Sequence, residues 1–266
     1  MNYRLPITEA LVTTLQGAAR LLDQIVIPDF VNMSLPSSAL TAAALAHFRA
    51  TQTEEMLKTI KEKNEALQRL LIKLGWPPPW HLPAITLDRI AEGNASGDLS
   101  DEDVTDLFIE LYDSKLLNTL LTEWKRSEYL GERGPILEEG TQNHLDKRFC
   151  SAVCVFLPQI EGVIADELGR KPNPQNDAGV IFNDSTLSKV AREFYVNMAR
   201  SSFTPTSKIP APDLSRYAIL HGRDTSFGTA SHSLRVILLF DAVWSAIGDR
   251  SRARLTNRRS RRTLVD

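Results

Sequence analysis

The sequence predicts an all-α protein, a bundle of several helices. Apolar residues recur at helical spacing in nearly every long segment, and residues 180–182 are the one stretch that offers a doubtful β-strand. The chain has 266 residues, of which 42% are hydrophobic and 24% charged, as is ordinary for a soluble globular protein. Its net charge of −2 does not mark the whole molecule as a polyanion binder.

The chain divides into three predicted regions. We expect an N-terminal helical region over residues 1–83, a helical domain over 84–248 and a disordered arginine-rich tail over 249–266. Within the first region, apolar spacing predicts a helix over residues 7–24 and a long amphipathic helix over 37–74. The run Gly75-Trp-Pro-Pro-Pro-Trp80 ends that helix, because three prolines cannot continue it.

In the second region the sequence predicts three further helices before residue 200. The first begins at Ser100, a good N-cap with Asp103 three residues on, and runs to about Trp124. Another spans residues 142–168, and a short one spans 186–199. Eleven of the sixteen residues from 149 to 164 are apolar, so we expect a central helix that is buried on nearly all sides.

Residues 170–179 are expected to form a surface loop, because they are rich in proline, asparagine and glycine. Beyond residue 199, several prolines predict an irregular connection to the segment that begins at Arg216. A strongly apolar helix pattern then covers residues 231–244.

The two cysteines, Cys150 and Cys154, suit a reducing compartment. They lie four residues apart in one predicted helix, so we expect two buried free thiols and no functional disulfide. His144 is the one histidine near them in sequence, too few ligands for a zinc site. The sequence shows neither a signal peptide nor an apolar run long enough to span a membrane, so we expect a cytoplasmic protein without membrane contact.

The segment Arg216-Tyr-Ala-Ile-Leu-His221-Gly222 carries the strongest chemical signal in the chain. A guanidinium can hold a phosphate with two hydrogen bonds and stabilise developing negative charge. An imidazole can exchange a proton near neutral pH. The pair therefore suits phosphodiester cleavage without a metal. The alternative is that both residues have structural roles, as a helix-terminal histidine and a surface arginine.

Glu161 is a second candidate, because it is the one charged residue between residues 149 and 164. A carboxylate in such an apolar run must be paired, protonated or directed into a cleft. Its natural partner is an arginine, and Arg216 is a candidate. The structural alternative is a salt bridge without a role in chemistry.

Two further segments could hold nucleic acid. Residues 223–232 are polar and lead into a helix N-terminus, where Arg223, Thr229 and His232 could bind an anion; an ordinary capping loop would have the same composition. The tail contains seven arginines from residue 250 to 262, including Arg258 and Arg259. Such a tail can bind RNA or DNA phosphates, or serve as a solubilising end.

The Arg216–His221 segment resembles the Arg-x4-6-His motif of HEPN domains, all-helical modules of bacterial defence systems and RNA processing. The resemblance extends over the C-terminal half of the chain. It implies a metal-independent endoribonuclease, in a defence or toxin–antitoxin setting, with Arg216 and His221 in the motif roles and Glu161 assisting. It also implies RNA as substrate and a site that is usually completed across a homodimer. Tyr217 stands where the motif often has Asn, Asp or His.

The sequence contains no phosphate-binding glycine loop, no dinucleotide-binding fingerprint and no zinc-protease or nucleophile-elbow motif, so we expect neither cofactor nor metal. A different class of function remains open, that of a non-catalytic helical interaction protein. Such a protein would be an immunity-like or antitoxin-like partner, or a scaffold. The long amphipathic helix over residues 37–74 fits that class equally well. A nucleic-acid-binding module led by the arginine tail is the third alternative.

Overall fold

The structure is a computed structural model, and it describes residues 38–182, 186–199 and 214–262. Every regular element in these ranges is a helix, which confirms the predicted all-α class. The chain divides into two compact units, residues 1–57 and 58–266. Residues 58–83 thus belong to the second unit, although the sequence assigns them to the N-terminal region. The helix predicted over residues 7–24 lies outside the described residues.

Most of the described helices are joined by short connections, and a 3-10 helix at Glu128–Arg133 lies between α4 and α5. In chain order they are α1 (Ser38–Leu74), α2 (Ala84–Ser96), α3 (Asp101–Leu111), α4 (Ser114–Lys125), α5 (Gly134–Leu145), α6 (Phe149–Leu168), α7 (Pro174–Ile181), α8 (Thr186–Ala199), α9 (Arg216–Leu220) and α10 (Ala230–Arg262).

Local stop and start signals set several helix boundaries where the sequence predicts them. Helix α1 ends at Leu74, and Gly75 follows with a φ of 64°, the left-handed conformation that glycine adopts at low cost. Ser100 caps α3, because its hydroxyl accepts from the Asp103 amide at 3.1 Å and the Asp103 carboxylate accepts from the Ser100 amide at 2.8 Å. Helix α8 has the predicted bounds.

Two predicted helices are each divided in the structure. The helix expected from Ser100 to Trp124 breaks after Leu111, and Asp113 caps a new helix by accepting from the Leu116 amide at 2.8 Å. The helix expected over 142–168 breaks between α5 and α6, where Lys147 takes a φ of 61°. Each break divides one long predicted helix into two, and after the second break the two helices α5 and α6 pack against each other.

The predicted surface loop at 170–179 is wrong, because most of it forms helix α7. Asn173 caps this helix and Pro174 occupies its first turn, a position that tolerates a residue without an amide hydrogen. Asp177 is 1% exposed and accepts two hydrogen bonds from Arg170, at 2.6 and 3.0 Å. The doubtful strand at 180–182 is also wrong, since α7 extends to Ile181.

The central helix of the second unit is α10 rather than α6. It packs against α3, α5, α6, α7 and α8, and its residues from Ser233 to Val243 are buried apart from the half-buried Arg235. Helix α6 packs against α5 and α10 but exposes its other side, so the prediction of burial on nearly all sides is wrong. Cys150 and Cys154 lie on that exposed side as free thiols, not in the core.

Asp241 is a buried carboxylate that lies among aromatic rings in the core. Asp241 on α10 is 2% exposed and accepts from the Trp124 indole nitrogen at 2.9 Å. Its other oxygen lies 2.9 Å from Nε2 of His81 in the proline-rich turn after α1. Around it, Trp124 makes edge-to-face contacts with Phe240 at 5.0 Å and Phe156 at 5.9 Å. These contacts join the proline-rich turn, α4, α6 and α10 around one point.

Two described helices are long and apolar enough to cross a membrane by length and composition alone. They are Phe149–Leu168 and Ala230–Gly248, and the second is mostly buried inside the protein. The sequence reasoning expected no stretch of that length. The core helix of a soluble protein passes the same test.

Helix α10 continues to Arg262, into the segment where the sequence predicts a disordered tail. Arg258 and Arg259 therefore lie in the last turns of this helix.

Candidate functional site

A charge pair between α6 and α9 forms the centre of the candidate site. Ser215 caps the five-residue helix α9, and Arg216 is its first residue, at a point where α9 packs against α6 and α8. Arg216 Nη1 donates to Glu161 Oε2 at 2.5 Å. The two side chains are 23% and 28% exposed, so solvent reaches a pair that is otherwise enclosed. The partner that the sequence suggested for Glu161 is thus the one that the structure provides.

A second arginine, Arg133, also contacts helix α6 near the charge pair in sequence. Arg133 donates to Gln159 at 2.7 Å and to Asp166 at 2.8 Å. Its guanidinium lies on Gly162, where a Cβ atom would stand 2.6 Å from Arg133 Nη1. A side chain directly after Glu161 would displace the flexible end of Arg133 from this position. Sequence reasoning missed Arg133; the glycine in an otherwise bulky helix was the available signal.

A buried tyrosine completes the neighbourhood of the pair. Tyr195 on α8 is fully buried, and its hydroxyl has no hydrogen-bond partner among the described protein atoms. Burial raises the pKa of Tyr195, and the carboxylates of Glu161 and Asp177 raise it further, whereas Arg216 opposes them. The phenol therefore lies within the electrostatic reach of the Glu161–Arg216 pair. From the sequence alone, Tyr195 is indicated only as an apolar position of a predicted helix.

His221 does not join this pair in the structure. It is the residue that ends α9, its side chain is exposed, and its ring lies on the ring of Tyr217 at 4.3 Å between centroids. No hydrogen bond or ion pair links His221 to Arg216 or Glu161 in the described part of the chain. Positions five apart on a helix point in different directions, which accounts for the separation.

The loop between α9 and α10 is a capping loop. Gly222 has a φ of 67°, and the amides of Arg223 and Asp224 both donate to the Ala218 carbonyl, at 2.8 and 3.1 Å. Thr229 accepts a hydrogen bond from the His232 amide at 3.1 Å, so its hydroxyl holds the first turn of α10. Arg223 is exposed and His232 half-buried.

His144 makes a buried polar contact of its own. Its Nδ1 lies 2.8 Å from the Ser233 hydroxyl oxygen, with both residues buried. Burial lowers the pKa of His144 to about 4. The imidazole is therefore neutral at pH 7. In the described residues, no group of three or more His, Cys, Asp or Glu side chains is placed to hold a metal ion.

The free energy of unfolding is expected to fall as the pH drops below 6.5. An unfolded chain takes up a proton on His144 near pH 6.5, whereas the folded chain resists it until about pH 4. Acid therefore favours the unfolded state, by roughly 2 kcal/mol between pH 7.5 and pH 5. Urea unfolding of wild type and His144→Gln at both pH values measures the contribution of His144 to this fall in unfolding free energy. The same fall in both proteins would contradict it.

No protein-family model matches the chain, and neither a curated protein nor a solved structure is detectably similar to it. The resemblance to HEPN domains thus stays a prediction that depends on the residues of the Arg216–His221 segment.

Proposed function

We propose that this protein is a metal-independent endoribonuclease of HEPN type, with Arg216, His221 and Glu161 as its site. The observation that carries the proposal is the solvent-reachable Arg216–Glu161 pair, with an exposed histidine at the other end of the same short helix. A guanidinium that a carboxylate orients can bind a phosphate, and an accessible imidazole can move a proton, so these groups suit phosphoryl chemistry once they are brought together.

In the proposed reaction, the ribose 2′-oxygen attacks the adjacent phosphorus and the bond to the 5′-oxygen breaks. His221 takes the proton from the 2′-hydroxyl and returns a proton to the leaving 5′-oxygen. Arg216 donates to the phosphoryl oxygens, on which negative charge develops. Glu161 holds Arg216 in place between turnovers.

The separation of His221 from Arg216 supports a site that is completed by a second copy of the chain. Arg216 begins α9 and His221 ends it, and positions five apart on a helix point in different directions. In a homodimer, His221 of one protomer would face Arg216 of its partner across a shared phosphate. Exposure of His221 and Leu220 on the same helix leaves this end of α9 available for such a contact.

The deciding experiment incubates purified wild type and His221→Ala with mixed RNA in EDTA. We expect His221→Ala to lower the rate on the order of 10²–10⁴-fold, the usual contribution of a positioned proton donor and acceptor, with an unchanged melting temperature. Ile136→Ala is the control, because Ile136 is an exposed apolar residue on α5, outside the proposed site, and has no proton to exchange. Equal cleavage by wild type and His221→Ala, or loss of cleavage in EDTA, would sink the proposal.

A non-catalytic helical interaction protein is the second candidate, and one observation favours it. The apolar stripe of α1 is buried at Leu67, Leu70 and Leu71, but Leu57 is 49% exposed and Ile60 only half-buried. An apolar stripe that extends beyond the core fits a protein partner. Absence of RNA cleavage by the wild type would favour this second function.

A further inference from the structure

The C-terminal end of α10 concentrates positive charge. The helix continues to Arg262, and residues 250–262 contain seven arginines and no acidic residue. Because the whole chain has a net charge of −2 and these seven arginines contribute +7, all other residues together contribute −9. A polyanion is therefore repelled by the rest of the chain and attracted to this one end of α10.

The helix register places most of these arginines along one side. An α-helix advances by about 100° and 1.5 Å per residue, so positions four apart differ in direction by only about 40°. Five positions share an arc of about 120° over a length of about 18 Å, and we call them the arginine stripe: Arg250, Arg254, Arg258, Arg261 and Arg262. The two other arginines, Arg252 and Arg259, have register positions outside this arc.

Like charges repeat along the stripe at the spacing at which helical neighbours meet. Arg250, Arg254, Arg258 and Arg262 follow one another at intervals of four residues. Like charges at this spacing destabilise a helix, although cations near a helix C-terminus are favoured by its dipole. A row of anions along the stripe would relieve the repulsion. Guanidinium groups bind phosphates with paired hydrogen bonds, so phosphates are the anions that suit this side of the helix best.

The composition of the same segment favours RNA over a membrane as the source of these phosphates. A helix that lies on a lipid surface needs a broad apolar face, and residues 250–262 contain only Ala253 and Leu255 as apolar residues. A nucleic acid offers phosphates in a row and needs no apolar face, since its contacts with a basic protein segment are mainly electrostatic. The choice of RNA among nucleic acids rests on the proposed function.

We propose that the arginine stripe binds the phosphate backbone of RNA and thereby holds the substrate on the protein. Contacts with phosphates carry no sequence information, so the stripe supplies affinity and not sequence preference. It binds the RNA equally before and during the reaction, and it therefore lowers KM without changing kcat. This binding does not require cleavage, which makes it separable from the activity of Arg216 and His221.

Two double variants of the full chain test the stripe at equal loss of charge. Arg254→Gln with Arg258→Gln removes two members of the stripe, whereas Arg252→Gln with Arg259→Gln removes the two arginines outside it. Glutamine has nearly the helix propensity of arginine, so neither pair weakens the helix by propensity. The probe is a labelled single-stranded 2′-O-methyl RNA of about a dozen nucleotides, a length that suits a short binding groove. It has no free 2′-hydroxyl and cannot be cut by the proposed reaction.

Fluorescence anisotropy at several salt concentrations measures binding of this probe. We expect the pair on the stripe to weaken binding about tenfold and to lower the slope of log Kd against log salt by about 1.4, because two phosphate contacts are lost. The pair outside the stripe should weaken binding by less than about threefold. Equal weakening by both pairs would overturn the stripe, and so would a wild type that binds anionic lipid vesicles but not the probe.

Steady-state cleavage of unmodified RNA distinguishes failure of this inference from failure of the proposed function. The pair on the stripe should raise KM about tenfold at unchanged kcat, whereas His221→Ala should lower kcat. A wild type that binds the probe through the stripe but cuts no RNA would contradict the proposed function and leave the stripe standing. Cleavage with the same KM in the wild type and the stripe variant would overturn the stripe alone.

Discussion

Replacement of Asp241 by alanine is expected to cost on the order of 3–5 kcal/mol of unfolding free energy. The carboxylate is 2% exposed and accepts from the Trp124 indole while its second oxygen contacts His81. Without it, the indole N–H loses its acceptor in a buried position, and the His81 imidazole loses its contact with the carboxylate. Urea unfolding, followed by tryptophan fluorescence, measures the loss.

Asp241→Asn is the matched control, because the amide oxygen can still accept from Trp124 while the negative charge is removed. We expect a smaller loss, about 1–2 kcal/mol. If Asp241→Ala unfolds at the same urea concentration as wild type, the buried carboxylate does not stabilise the core.

Gly140→Val is expected to destabilise the fold by about 3 kcal/mol, near the upper end for an overpacked core. A Cβ atom at this position would lie 2.7 Å from Phe156 Cε2 and 2.9 Å from Val155 Cγ1. Helices α5 and α6 would have to separate, and Phe156 is part of the aromatic cluster around Trp124. Thermal unfolding followed by circular dichroism reports the change.

Gly248→Ala serves as the control for the Gly140 substitution. Gly248 also lies within a helix, but among the described residues no side chain or neighbouring element stands within 4 Å of the position that its Cβ would take. Alanine should therefore stabilise the protein by up to about 1 kcal/mol through helix propensity alone. Destabilisation by both substitutions would show that close packing at Gly140 is not the cause.

The helix boundaries that could be predicted are those set by a capping residue or by a helix-ending glycine. Ser100 with Asp103 marks a start and Gly75 a stop, and the structure has both. Asp113 is an equally good cap, but it lies inside an apolar pattern that continues across it, so the break was missed. In the turn before α6, Lys147 has a left-handed conformation. Lysine has no preference for this conformation, so the turn could not be predicted from the sequence.

The candidate site was predictable where burial demands a partner. A single carboxylate in an apolar helix needs a cation, and this requirement linked Glu161 to Arg216 across the sequence. The same reasoning applied to Asp241 would have called for donors such as Trp124 and His81. Tyr195 gave no signal, because its unmatched hydroxyl becomes visible only once the helices are packed.

The contacts of Asp241 also bear on the order in which the protein assembles. His81 and Trp124 precede this residue in the chain by 160 and 117 positions. During synthesis, both donors therefore leave the ribosome long before their acceptor exists, and the polar centre of the core closes only when α10 arrives. Loop closure over such separations is slow and entropically costly. We therefore expect α10 to dock late in folding, and a chain that lacks α10 to leave the Trp124 indole N–H without its Asp241 acceptor.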